Sequence, residues 1–423
     1  MKEWKTYKLG ELADVKGGKR LPKGNMLTTL RNSHPYIRIR DLGATKTIEL
    51  NSTYEYVEDD VQQLISKYIV KSGDIILSIV GTIGLTAIIG HSLNCANLTE
   101  NCVKFTKLRG VDPNYLYYFL TSPLGQDEIN KGIVGAVQPK LPIKNIQNIS
   151  IPLPEIEAQQ NIASILSSID DKIELNRQIN DNLEQQAKAL YKSWFIDFEP
   201  FTDSEFIDSE IGLIPKELTV DHIGNLSHRI ESGRRPKGGA SDSGVPSVGA
   251  ENIKKLGYYD FSKTKYIPAD FANNITRGKV NGYELLIYKD GGKPGYFLPS
   301  FTIFGDGFPY DTFYINEHVF ILDLKNDQYN AFAYFYMQTD YIMTQLNALG
   351  GKAAIPGINT SDVESLPIIS YSHPKVQEFG YYAYDVVKTI LRNSRENARL
   401  AKLRDALLPK LMSGELKINE IDC

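Results

Sequence analysis

Cysteine is scarce in this chain: three of its 423 residues, Cys95, Cys102 and Cys423. They form neither a CxxC metal pair nor a disulfide framework, which fits a reducing compartment. No apolar run reaches the ~18 residues that a membrane-spanning helix requires. The opening Met1-Lys2-Glu3-Trp4-Lys5 lacks the apolar core of a secretory signal. A cytoplasmic protein with no membrane partner is therefore expected. An excess of one charge sign is also missing, since 47 Lys and Arg face 51 Asp and Glu for a net charge of −4. The sum does not advertise a nucleic-acid binder, so the local distribution of charge has to decide.

Catalytic motifs are missing as well. Gly291-Gly292-Lys293-Pro294-Gly295 invites comparison with a phosphate-binding loop but lacks its spacing and its hydroxyl residue. No GxGxxG follows a strand-like run, which weakens any case for a bound dinucleotide or methyl donor. The histidines (His34, His91, His222, His228, His318, His373) are scattered, without ligand-like spacing. These absences point away from a free-standing enzyme, and no metal site or cofactor of the chain's own is expected.

What the chain does have is a ladder. Ile162, Leu166, Ile169, Ile173, Asn176, Asn180, Leu183, Ala187, Leu190 and Trp194 follow the alternating four–three spacing of a helix with one apolar seam. The ladder recurs as Phe379, Ala383, Val386, Ile390, Asn393, Asn397, Leu400, Arg404, Leu407 and Leu411, every rung at one constant offset. Asparagine inside a seam costs stability but selects register, because only a polar group opposite can satisfy its amide. Asn176 and Asn180 thus have Asn393 and Asn397 as candidate partners that set helix–helix register. The pattern reads as an internal duplication with two long helices packed on each other. About 40 helical residues span roughly 60 Å, the length of a spacer. The Ala187/Arg404 rung breaks the symmetry.

Length favours two or three domains, and the repeat places them. Residues 1–154 form a first mixed globular domain and 155–199 the first spacer helix. Residues 200–217 form an acidic linker, 218–371 a second globular domain, and 372–423 the second spacer helix with the C-terminal tail. Tyr36 to Leu42 alternates as a strand would, placing Arg38 and Arg40 on one face. Asp74 to Val80 reads as a buried strand, and Pro113 to Leu120 and Gly125 to Lys131 as short helices.

Two glycine-rich basic loops stand at matching places: Gly17-Gly18-Lys19-Arg20-Leu21-Pro22-Lys23-Gly24 and Ser232-Gly233-Arg234-Arg235-Pro236-Lys237-Gly238-Gly239. Glycine lets backbone approach a phosphate, Lys and Arg neutralise it, and Arg is the commonest reader of guanine edges. Lys19, Arg20, Lys23, Arg38 and Arg40 in the first half, with Arg234, Arg235, Lys237 and Lys293 in the second, are the candidate DNA-binding residues. Gln138, Lys140, Asn252 and Lys352 join them on repeat position alone. Solvated loop charges are the competing reading for each residue taken singly; the paired placement favours function for the set.

Several stretches resemble the specificity (S) subunits of type I restriction-modification enzymes. They are Gln138-Pro-Lys-Leu-Pro to Ile151-Pro-Leu-Pro, Glu155 to Ile169, Leu190-Tyr-Lys-Ser-Trp-Phe-Ile-Asp-Phe, Asp208-Ser-Glu-Ile-Gly-Leu-Ile-Pro and Leu407-Leu-Pro-Lys-Leu-Met-Ser-Gly-Glu-Leu. The resemblance covers essentially the whole chain. It implies an α+β fold with two target-recognition domains of twisted β-sheets and short helices. Two long helices would separate them as an antiparallel coiled coil with a pseudo-two-fold duplication. It further implies a non-catalytic subunit that reads a split site on double-stranded DNA. Two methyltransferase (M) subunits would methylate adenine, and motor-nuclease (R) subunits, where present, would cleave. S-adenosylmethionine, ATP and magnesium would then sit on those partners. The alternative is a structural coiled-coil adaptor without sequence-specific DNA binding.

Overall fold

The computed structural model describes residues 4–43, 45–351 and 356–416. The chain divides into two compact units, Met1–Glu174 with Leu400–Cys423, and Leu175–Arg399.

In the first unit, Ile75–Ser78 is the middle strand of a five-stranded sheet. From edge to edge, the strands are Asp14–Gly17, Cys102–Thr106, Ile75–Ser78, Thr86–Ile89 and Thr47–Ile48. Ile75, Ile76 and Leu77 are all fully buried because both faces are covered. Ile75 and Leu77 join the core under Tyr115 and Phe119, while Ile76 faces Ile37, Ala87 and Leu98 on the other side. That double covering is why the strand reads as an unbroken apolar run rather than an alternation. A second, three-stranded sheet has Pro35–Ile37 at its centre, antiparallel to Glu55–Tyr56 and parallel to Asn97–Leu98.

The second unit repeats this plan. Arg229–Ser232, Val319–Asp323, Leu285–Tyr288 and Ser300–Ile303 form a four-stranded sheet in that spatial order. Val245–Val248 centres a three-stranded sheet, antiparallel to Lys265–Ile267 and parallel to Tyr314–Ile315. Helices Pro113–Thr121 and Pro123–Gly132 correspond to Asp327–Tyr336 and Asp340–Gly350. All four start on a capping side chain, Asp112, Ser122, Asn326 and Thr339, each accepting from the backbone N–H three residues on. Matched mixed sheets and matched caps carry the duplication well beyond the helices.

The expected strand from Tyr36 to Leu42 is shorter than its alternation suggests. It stops at Ile37, and Ile39–Asp41 forms a 3-10 turn. The Arg38 N–H donates to Asp41 Oδ2 at 2.7 Å, so a local side-chain bond replaces the ladder bond a strand would need. The acidic stretch after the first long helix is not bare linker: Phe206–Ser209 and Gly212–Pro215 pair as a β-hairpin.

The long helices run Ile156–Phe195 and Pro374–Met412. Within the second unit Asn176 Nδ2 donates to Asn397 Oδ1 at 2.9 Å, and Asn393 Nδ2 donates to Asn180 Oδ1 at 2.9 Å. Within the first unit Arg404 Nη1 donates to Asp170 Oδ1 at 2.8 Å. Low numbers pair with high ones in both cases, so the segments are antiparallel in each unit. Beyond the asparagines the seam shifts by one residue. Tyr191 and Phe195 are buried, while Leu190 and Trp194 are only partly so. In the second helix Leu408 and Met412, the repeat counterparts of Tyr191 and Phe195, are buried too, but Leu411 on the expected rung also stays fully buried. A straight helix with 3.6 residues per turn drifts away from a strict seven-residue repeat, and the first helix shows that drift more fully than the second.

Candidate nucleic-acid interface

Each basic loop is laid against a strand end by its glycine. In the first unit a Cβ on Gly18 would stand 2.0 Å from the Thr99 carbonyl oxygen and 2.4 Å from that of Leu98. In the second, a Cβ on Gly233 would stand 1.8 Å from the Ile315 oxygen. Only glycine fits such an approach. The loop backbone then bonds to the same strand: the Lys19 N–H donates to the Leu98 carbonyl at 2.8 Å, and the Gly233 N–H to that of Asn316 at 3.2 Å.

This docking sets the second basic residue of each loop beside a glutamate. Arg20 Nε donates to Glu100 Oε1 at 2.6 Å, and Arg235 Nη1 lies 3.5 Å from Glu317 Oε1. Burial works to raise the Glu100 carboxyl. The hydrogen bonds from Arg20, from its own backbone and from Thr99 more than offset this and hold it below the usual range. Sheet registers make Arg20 and Arg235 equivalent, and likewise Glu100 and Glu317. Neither glutamate was among the candidates read from the sequence. Glu100 and Glu317 nevertheless stand at the same offset as the helical ladders, and that signal could have found them.

A cavity opens beside each pair. The first, about 390 Å³, is lined by Arg20, Tyr36, Arg38, Arg40, Glu100 and Asn101 among others. Arg38 and Arg40 both reach Glu55 Oε2, at 2.6 and 2.7 Å. Three arginines and two glutamates therefore gather here. The second cavity, about 290 Å³, is lined by Arg234, Arg235, Ser247, Lys265, Glu317 and His318 among others. There the outer charge pair is inverted. Lys265 takes the sheet position of Glu55, Glu251 the position of Arg40, and they lie 3.7 Å apart.

Other candidates fall elsewhere. Lys19 is exposed with its Nζ 5.7 Å from the Tyr68 ring centroid. Lys23 and Lys237 are exposed on the two loops, and neither lines its cavity. Gln138 and Lys140 are exposed in the Gly135 loop, where Lys140 forms isolated bridges to Val80 and Val134. Lys293 is exposed on a small hairpin, Gly292–Lys293 with Tyr296–Phe297. Asn252 requires correction as a DNA contact: it is 1% exposed, and its Oδ1 accepts from the Asp260 N–H at 2.7 Å. Its amide closes the loop that follows it. Lys352 lies outside the described residues.

Residues 1–185 match the type I restriction modification DNA specificity domain. Two relatives align along nearly the full length. The type I restriction enzyme MjaIX specificity subunit of Methanocaldococcus jannaschii is 27% identical, covering 99% of this chain and 95% of its own. The HindI specificity subunit of Haemophilus influenzae is 25% identical, covering 98% of this chain and 100% of its own. In fold, the chain is similar to the crystal structure of the type I restriction-modification S subunit from M. genitalium. The TM-score is 0.53 at 16% identity over 96% of each chain. Over nearly its whole length, then, the chain is similar to type I restriction-enzyme specificity subunits, with their DNA specificity domain matched over residues 1–185.

Proposed function

We propose that this chain is the sequence-specific DNA-recognition subunit of a type I restriction-modification complex, and that it directs chemistry without performing it. The observation that carries this reading is the basic loop repeated in both units, docked through Gly18 or Gly233 on a strand end beside a cavity. Each unit then reads one half of a split DNA site. The exposed loop lysines supply phosphate neutralisation, and the cavity-lining arginines, Arg234 and Arg235 among them, supply base readout. Two methyltransferase subunits carry S-adenosylmethionine and methylate adenine. Motor-nuclease subunits carry ATP and magnesium where cleavage occurs. The working compartment is the cytoplasm; no helix among the described residues is long and apolar enough to cross a membrane.

The test is to express the chain with its methyltransferase partners and map methylated bases by sequencing. A motif of two specific halves around a fixed gap, methylated on adenine, is the expected result. A soluble complex that adds no methylation would move the reading to a structural adaptor. Inserting whole heptads into both long helices should widen the gap and leave the two half-site sequences unchanged; an unchanged gap would remove the spacer role.

A further inference from the structure

We propose that Glu100 and Glu317 are positioning residues for specificity, each holding its arginine, Arg20 or Arg235, so that the guanidinium meets a guanine in its own half of the DNA site. This deepens the DNA-reading role proposed above and rests on it. A guanidinium offers five N–H donors in a rigid planar fork, and reading guanine O6 and N7 takes two of them side by side. The Arg20–Glu100 bond uses Nε. Among the described residues the two Nη groups of Arg20 carry no hydrogen bond, which leaves the outer edge of the fork available. Glu100 is itself held, since Thr99 Oγ1 donates to its Oε2 at 3.1 Å.

The arrangement solves a definite problem. Arg20 is 80% exposed along its side chain, and a long exposed side chain loses rotamer freedom when it binds. A carboxylate partner fixes it beforehand. The duplication supplies the second observation. The two units differ at most cavity positions, yet the glycine against the strand, the arginine two residues on and the glutamate on the strand end recur together. In the second unit Glu317 is flanked further: His318 Nε2 lies 3.5 Å from the same Oε1, and His318 Nδ1 lies 2.8 Å from Asp290 Oδ2. Bland solvated loop charges have no reason to keep a partner through such divergence.

The experiment uses the complex with its methyltransferase subunits and a plasmid library in which every base pair of the wild-type motif is varied. Glu100→Gln is expected to lower the preference for one G·C pair in one half-site by roughly tenfold to a hundredfold, leaving the other half untouched. Glu317→Gln should do the same in the other half. Arg20→Lys, which keeps the charge and loses the fork, should relax the same position as Glu100→Gln. In an Arg20→Ala background, Glu100→Gln should add nothing. Methylation that falls uniformly over all sequences would overturn the proposal in favour of a structural or phosphate role. An unchanged motif for Glu100→Gln, with Arg20→Ala still altering it, would overturn it in favour of an unassisted arginine. Additive effects would overturn it in favour of a glutamate that reads cytosine itself. A wild-type complex without any motif would overturn the DNA-reading role, a result visible before any variant is made.

Discussion

The two cavities share one charge pair and invert the other. Arg20–Glu100 and Arg235–Glu317 stand at equivalent places, whereas Glu55 with Arg40 in the first unit is replaced by Lys265 with Glu251 in the second. A duplicated frame thus presents a common donor and a different surround, as two readers of different half-sites would need. The same economy appears inside. In the first unit Asp170 accepts from the Tyr118 hydroxyl at 2.7 Å and from Arg404 at 2.8 Å. Their repeat counterparts in the second unit, Val387, Phe332 and Ala187, are fully buried members of one apolar core. The broken Ala187/Arg404 rung is therefore a whole polar cluster exchanged for a hydrophobic one. Buried ion pairs of this kind are costly to break singly and nearly neutral to replace whole.

That exchange sets the largest expected effect. Arg404→Ala should destabilise the first unit by about 2 kcal/mol, less than for a fully buried pair because Arg404 is 31% exposed. Faster hydrogen exchange in Pro113–Thr121, with Asp327–Tyr336 unchanged, would report it. The triple change Tyr118→Phe, Asp170→Val, Arg404→Ala imports the second unit's solution and should return stability to within about 1 kcal/mol. A triple variant as weak as Arg404→Ala would break the comparison.

Next come the asparagines. Asn176→Leu alone removes two hydrogen bonds donated by a buried amide, to Asn397 Oδ1 and Glu396 Oε2, and should cost about 1–2 kcal/mol in urea unfolding. Asn176→Leu with Asn397→Leu should recover stability while loosening helix register, seen as methylation at more than one half-site spacing. A single retained spacing would show that register is set elsewhere.

At the interface, Arg234→Ala with Arg235→Ala should weaken DNA binding and relax the half-site read by the second unit alone, scored by binding to libraries varied in one half at a time. A loss that is equal for every sequence would assign both residues to phosphate. The smallest effect tests sameness: Asp112→Ala and Asn326→Ala each remove an equivalent helix cap and should cost about 1 kcal/mol apiece. Unequal costs in thermal melting would mean that the surrounding packing, not the cap, has diverged.

Much of the architecture is legible in the chain because duplication doubles every signal. The ladders, their paired asparagines and the two glycine loops each appear twice, and proline at Pro113 and Pro123 after capping residues marks helix starts. The reading fails where a local bond competes with a periodic one. Arg38 to Asp41 alternates like a strand, yet Asp41 accepts the Arg38 N–H and closes a turn. Asn252 resembles a base reader by repeat position, yet the loop that follows buries it and bonds its amide.

By itself, then, the sequence determined the duplication and the helical spacers, since periodicity and repeat offset are properties of a single strand of text. Only the tertiary structure decided which asparagine meets which, how the seam shifts to Tyr191 and Phe195, and that Glu100 and Glu317 stand beside the arginines. Those outcomes depend on side chains far apart in the chain competing for the same partner, and helix drift, glycine approach and sheet register settle that competition only when the chain is folded.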